Sequence, residues 1–268
     1  MTTFTLRRNN PNALNDLIIH APSDAASLTD DHRRSLAARF RAIPTLEHRR
    51  LDAWAVEHAG TSGRDFRWSP SSARRLLGAA ALRRLVRRPG LTPLEAVNDE
   101  ITDQLLRHTS GYAQRGSLAQ WLSSLEASEL ALVSAAATNW STELRELGEG
   151  LDVEWQVCRS DAFYDVARAR TTLRAHRDLE IPREDGRVML RVRAGAPGKS
   201  SGPGLRSELT IETLAHPKGL APQRFIGVWP DAGVVLSVDG TMADLRAGAR
   251  DLVRTAAVQR RRALKTAA

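Results

Sequence analysis

Residues 171–195, TTLRAHRDLEIPREDGRVMLRVRAG, decide how the rest of the chain is read. From Thr171 to Ile181, and again from Arg187 to Gly195, large apolar or β-favouring residues alternate with charged ones. That is the period-two signature of strands with one buried face. Pro182 and Gly186 bracket the turn between the two runs, which predicts an antiparallel hairpin. Leu205, Leu209, Glu212 and His216 follow at helical spacing, with no Gly or Pro between Leu205 and Ala215. A helix is therefore expected to return the chain to a strand at Phe225–Trp229, which completes a β-β-α-β unit.

Working outward, Val153–Arg159 (VEWQVCR) reads as a strand before this unit and Val234–Val238 as one after it. A closing helix starts at Thr241, with Asp244 three residues on as a near capping box. Its buried side is predicted to be Leu245, Ala249, Leu252, Val253 and Ala256, and Gln259–Lys265 is a basic end or a phosphate contact. Upstream, Ser69-Pro70 places an N-cap before a preferred first helical residue. The helix it starts runs to Arg88 and carries Arg74, Arg75, Arg83, Arg84, Arg87 and Arg88 among Ala and Leu. Such a helix suits either a phosphate backbone or a solvated face. Further helices are expected over 92–108, 117–125 and 127–147, and earlier ones over 29–41 and from Pro44 to Gly60. The predicted organisation is an N-terminal helical segment (1–60), a helical part (61–150) and an α/β core (151–268). In class, this is an α/β mixed sheet flanked by helices, with a mainly helical N-terminal half.

The chain of 268 residues carries a formal charge of +8 and a sequence pI near 10.7. Residues 151–268 hold 20 basic against 14 acidic side chains, an excess of six. Such a balance fits a polyanionic partner, because cations on phosphates release counterions. Only three of the basic residues are lysines (Lys199, Lys218, Lys265), an arginine bias that codon usage also produces. No apolar run approaches the roughly 20 residues that span a bilayer. Met1–Asn10 lacks the apolar centre of a signal peptide, so the expected location is cytoplasmic, with no membrane partner.

The lone Cys158 excludes an intramolecular disulfide and a cysteine-built metal site, and is expected to be a buried hydrophobe. His20, His32, His48 and His58 are scattered without metal-ligand spacing. Gly-Lys-Ser at 198–200 lacks the glycine that a phosphate-binding loop needs five positions earlier, where Arg193 stands. Trp121, Trp140 and Trp155 sit among apolar neighbours and read as core anchors.

A strand pair with an acidic residue on one strand and an acidic-x-Lys triplet on the next holds Mg²⁺ beside a scissile phosphate, where the cation lowers the pKa of a bound water. Here the first carboxylate is Asp178, and the triplet is missing. At this point AHRDLEI, GRVMLRVRAGAPG, GLRSELTIETLA and PQRFIGVW, taken in order, resemble the RecB-like PD-(D/E)XK nuclease domain of actinobacterial helicase-nucleases. In that family the first three stretches read roughly GRVDLVL, GRVLLVDLKTGRPG and DLRFYALLETL. WSPSSARRLLGAAAL is similar to the LSPSSL-type helix that opens such domains. The resemblance covers about residues 66–259 and implies a restriction-endonuclease-like fold. Position by position, Asp178 keeps the first metal-binding aspartate. The second acidic ligand falls on Arg191, the lysine on Arg193, the helix tyrosine on Glu208, and an iron–sulfur cysteine of some relatives on Ala79.

Replacing a carboxylate by Arg191 removes a ligand and adds a cation, which is expected to abolish ordinary Mg²⁺ binding. Arg191 and Arg193 share a strand face and are candidates to grip phosphate directly, together with Arg74, Arg75, Arg83 and Arg84. Three readings stand. In the first, an inactive nuclease-like protein without cofactor binds DNA or docks onto a helicase or other DNA-processing partner. In the second, an Mg²⁺-dependent nuclease has a migrated carboxylate, Glu180 before Glu184, Asp185 or Glu208. The third is a structural or interaction protein without nucleic acid.

Overall fold

The computed structural model describes residues 2–5, 12–21, 28–43, 49–58, 68–88, 90–113, 116–151, 153–158, 161–166, 170–184, 186–193, 195–216 and 221–267. They form two compact units, Met1–Gly63 with Val153–Ala268, and Arg64–Asp152. Residues 1–60, read from the sequence as a separate helical segment, belong to the first unit and contribute strands to both of its sheets.

The first unit is α/β with mixed sheets. Its elements are β1 (Thr2–Thr5), α1 (Asn12–Ile19), α2 (Asp30–Arg39), β2 (Arg49–Asp52) and α3 (Ala53–Glu57). After the second unit come β3 (Gln156–Val157), β4 (Ala162–Val166), β5 (Thr171–Ala175), β6 (Leu179–Arg183) and β7 (Gly186–Val192). The chain closes with α8 (Ser201–Ala215), β8 (Pro222–Trp229), β9 (Val234–Asp239) and α9 (Met242–Ala267). Six strands pair in the order β1-β9-β8-β7-β6-β3, and three in the order β2-β5-β4.

The hairpin prediction is correct in its second half only. β6 pairs antiparallel with β7, from Leu179 opposite Leu190 to Arg183 opposite Gly186. Pro182 thus lies inside the strand, and Arg183 opposite Gly186 is the last pair before the turn. The run 171–181, expected as one strand, is cut at His176–Asp178: Thr171–Ala175 joins the small sheet, parallel to β2 and antiparallel to β4. Period two persists through a break of this kind, so alternation alone does not reveal it. Of the helix expected from Pro44 to Gly60, the described residues form β2 and the five-residue α3 instead, with Asp52 Oδ1 accepting the Ala55 N–H at 2.9 Å, and 44–48, 59 and 60 lie outside the described residues. The strand at 153–159 is reduced to Gln156–Val157.

The β7-α8-β8 crossover makes β7 and β8 parallel neighbours. β7 and β8 are buried at every position because both faces of the sheet are covered, which is why β7 reads as VMLRV rather than as a clean half-apolar strand. Met189, Phe225, Leu205, Leu209, Leu245, Ala249, Leu252 and Ala256 join one apolar core. α8 and α9 touch at Gly248, where an added Cβ would collide with the Arg206 carbonyl and the Thr210 hydroxyl. Thr241 caps α9, accepting the Asp244 N–H at 3.2 Å, as its spacing predicts.

The second unit consists of α4 (Pro70–Arg87), α5 (Pro93–Thr109), α6 (Leu118–Ser123) and α7 (Ala127–Glu149). Ser69 and Thr92 close capping boxes at the first two, each with Pro as the next residue. Ala73, Leu77, Ala81, Val97, Leu122, Val133 and Ala137 make its core. Trp140 is buried and Trp121 partly so. No described helix is long and apolar enough to cross a membrane.

Candidate functional site

Of the residues singled out by the strand pattern, Arg191 of β7 pairs with α8, Arg193 just after β7 pairs with α3, and Asp178 stands at the entry to β6. Asp178 lies one residue before the Leu179–Leu190 pair that opens the β6–β7 ladder. Its backbone N–H donates to Leu190 O at 3.0 Å, and its carbonyl accepts from Cys158 N at 2.9 Å. The Asp178 carboxylate is 5% exposed and accepts the Val192 N–H at 2.8 Å. It therefore satisfies backbone just past the last β6–β7 pair, a task a buried N–H demands of some partner.

Arg191 and Arg193, expected to meet phosphate, are 7% and 8% exposed. Arg191 Nη1 pairs with Glu208 Oε1, and Glu208 is wholly buried on α8. Arg193 Nη2 pairs with Glu57 Oε1 of α3, and its guanidinium lies 5.2 Å from the Trp229 ring centroid, within cation–π reach. Gly204 on α8 makes room for that pair, since a Cβ there would strike the Glu57 carboxylate. Arg187, two positions before Met189 on the same face, pairs with Glu212 at 3.0 Å, close by distance but without hydrogen-bond alignment, and approaches Glu180 at 3.6 Å. Glu212 Oε1 also accepts from Arg177 Nη1 at 2.8 Å, and His216 Nδ1 lies 3.3 Å from that oxygen.

The geometry is a ladder. α8 runs back over β7, so its stripe Gly204, Glu208, Glu212, His216, spaced by four, opposes Arg193, Arg191 and Arg187 in reverse order. Spacing of four keeps a helix face constant, and alternation keeps a strand face constant. The phosphate role expected for Arg191 and Arg193 does not fit this arrangement: both cations are compensated by carboxylates and closed off from a duplex backbone. The sequence held the missing half of the pattern in SELTIETLAH, where Glu208 and Glu212 fall on one face, yet a charged pair on a helix reads as solvent-facing until the helix is known to be covered on all sides.

The carboxylates proposed to replace the lost ligand are also accounted for. Glu208 serves Arg191, Glu180 approaches Arg187, Glu184 is exposed at the hairpin turn, and Asp185 lies outside the described residues, as does His48. Among the described residues no group of three or more His, Cys, Asp or Glu side chains is arranged to hold a metal ion.

A second polar cluster joins the small sheet to α3, and nothing in the sequence pattern singled it out. His176 Nδ1 lies 3.2 Å from Asp161 Oδ2, and Nε2 lies 3.5 Å from Asp52 Oδ2. Arg174 Nε donates to the same Asp161 oxygen at 2.7 Å. Burial alone would raise the Asp161 pKa, but the hydrogen bond and charge of His176 and the Arg174 guanidinium outweigh it, and the carboxyl is held well below its ordinary value. Asp52 is lowered in the same way, against burial, by His176 and the Ala55 N–H. Cys158 is buried as expected, and burial pushes its thiol far up, which removes thiolate chemistry near neutral pH.

In the second unit, Arg74 lies 5.1 Å from the Trp140 ring centroid, and Arg84 pairs with Asp103 and, at 3.1 Å, with Glu100. Arg75 and Arg83 are half-buried. Arg83, Arg84, Arg87 and Arg107 line a groove of about 510 Å³ between α4 and α5. Of the six arginines proposed as one phosphate-binding set, Arg191 and Arg193 are locked inside the first unit, and Arg74 and Arg84 of the four on α4 have partners within the second.

No family model matches this chain, and no curated protein sequence matches it.

Proposed function

We propose that the chain is a nuclease-like protein of PD-(D/E)XK type that has given up metal-dependent cleavage and is retained to bind DNA or to dock onto a DNA-processing partner. The observation that carries the reading is the buried Arg191–Glu208 pair at the position where the resemblance puts the second metal ligand. A cation-holding site needs two or more carboxylate oxygens facing a shared space. Here the second position is a guanidinium, and the carboxylate that faces it from α8 is already engaged. The order hairpin, crossover helix, parallel strand, with Asp178 at the entry to β6, supports the nuclease-like part. The engagement of Glu208 and Glu180 by arginines weighs against a migrated ligand.

The binding half rests on the charge excess of residues 151–268. Much of that charge is internal. Arg183 and Arg224 donate to carbonyls at the end of α1, and Arg33, outside that span, donates likewise to the carbonyls of Thr213 and His216 at the end of α8. These arginines satisfy helix C-termini, where cations are favoured. The cations that remain at the surface are the ones available to a polyanion. The test is incubation of labelled duplex DNA with the protein in Mg²⁺, in Mn²⁺ and in EDTA, scoring binding and cleavage together. Binding without cleavage in all three is the expected result; Mg²⁺-dependent cleavage abolished by Asp178→Asn overturns the proposal.

A further inference from the structure

We infer that the outer face of α9 is a sequence-independent contact surface for the phosphate backbone of duplex DNA. This refines the binding half of the function proposed above and stands on observations separate from the Arg191–Glu208 pair. α9 is one helix of 26 residues, Met242–Ala267. Its inner side, Leu245, Ala249, Leu252 and Ala256, is wholly buried in the core of its own unit. Arg246, Arg250, Arg254, Arg260, Arg261 and Lys265 are all exposed. At roughly 100° per residue these six fall within an arc of about 140°, a single stripe along the helix.

Among the described residues, none of the six has an ion-pair or hydrogen-bond partner, in contrast to the arginines of β7. The two acidic residues of the helix are occupied elsewhere: Asp244 with Thr241 at the cap, and Asp251 with Arg206 of α8 at 3.4 Å. Six like charges on one helix face repel one another and lower helix stability. An arrangement that keeps them together without counter-charges fits a polyanion supplied from outside.

The stripe also discriminates between polyanions. From Arg246 to Lys265 the helix rises about 28 Å, which spans about eight phosphates of one DNA strand. A single-stranded site needs aromatic platforms for the bases, and α9 contains no Phe, Tyr or Trp. A membrane-surface helix needs a free apolar face to insert, and the apolar face of α9 is closed by the core. The charge pattern and the missing aromatics together favour the backbone of a duplex.

The experiment compares the full chain with Arg246→Ala/Arg250→Ala/Arg254→Ala, measuring duplex affinity against salt by fluorescence anisotropy. Alanine is the best helix former, so α9 is not weakened by the change itself; far-UV circular dichroism checks this, and the corresponding triple lysine variant restores the charge. With a slope near −0.9 per phosphate contact, the loss of three contacts flattens the salt dependence by about 2.7. Between 50 and 200 mM salt the wild type then loses roughly 40-fold more affinity than the alanine variant. Lysine restoring both affinity and slope supports the inference. A wild type that binds duplex DNA with an affinity and slope unchanged in the alanine variant overturns the α9 surface while leaving DNA binding intact. A wild type that binds no duplex overturns both, as does tight binding to phosphatidylserine vesicles with none to DNA. A preference for single strands over duplex overturns the assignment of the partner.

Discussion

Glu208→Ala is the sharpest perturbation of the ladder between β7 and α8. Glu208 is wholly buried and pairs with Arg191, itself only 7% exposed in a strand covered on both faces. Truncation removes the carboxylate and leaves the guanidinium where water does not readily reach it. Breaking a buried ion pair from one side costs about 3–5 kcal/mol, whereas replacing both partners by apolar residues of similar volume is near neutral or stabilising. A protein with a typical stability of about 5–15 kcal/mol loses a large share of it. At roughly 2–4 °C per kcal/mol for a unit of this size, the melting temperature falls by about 6–20 °C. The assay is urea unfolding of wild type, Glu208→Ala, Arg191→Met and Arg191→Met/Glu208→Leu, followed by tryptophan fluorescence and circular dichroism. Each single variant is expected to be far less stable than the double variant, which stays close to wild type. A loss below about 1 kcal/mol in Glu208→Ala, or a double variant as unstable as the singles, refutes the buried-pair account.

Other consequences follow from the same geometry. Arg191→Asp puts a carboxylate back at the position of the second metal ligand, beside Glu208, so Mn²⁺ at 100 times its dissociation constant is expected to stabilise the variant by about 2.7 kcal/mol. Calorimetry detects that as a rise of about 5–10 °C; no rise contradicts the nuclease-like assignment. Gly248→Ala pushes a methyl group against the Arg206 carbonyl, which a backbone atom cannot easily yield to, and a loss of about 1–3 kcal/mol is expected from overpacking. An unchanged urea midpoint would mean that α8 and α9 are not so close. Asp161 and Asp52 titrate lower in the folded chain than in the unfolded one. Their stabilisation is therefore complete above the ordinary carboxylate range and is lost as pH falls through the folded values. Asp161→Asn is expected to lower stability at neutral pH and flatten the acid limb of a stability–pH curve; a limb as steep as wild type argues against the cluster.

The sequence carried the fold further than the site. Ser69-Pro70, Thr92-Pro93 and Thr241 mark helix starts through capping chemistry that is local, and the structure places helices there. The β6–β7 hairpin, α8 and β8 were legible from the apolar period, although Pro182, read as a turn residue, lies inside β6. The break at His176–Asp178 was not, since its cause is the pairing of Thr171–Ala175 with Arg49–Asp52 some 120 positions earlier in the chain. Strand partners at that separation leave no local trace. The same limit governs the site: alternation put Arg191 and Arg193 on one strand face, and in the structure they pair with Glu208 and Glu57. Whether that face met solvent or a helix depended on α8, whose coverage by α9 and the sheet is a tertiary fact. A charged residue in a strand was read by its usual preference for water, and here a carboxylate across the helix–sheet boundary overrides that preference.

The central claim is that this chain holds duplex DNA through surface cations and does not cut it. One titration tests it most directly: full-length protein against duplex DNA over a range of salt, with Mg²⁺ and with EDTA, reading anisotropy and strand integrity in the same samples. The account predicts a log–log salt slope of about −5 for six phosphate contacts, the same in Mg²⁺ and EDTA, with the DNA intact. Binding that requires Mg²⁺, or strands cut in its presence, would contradict it.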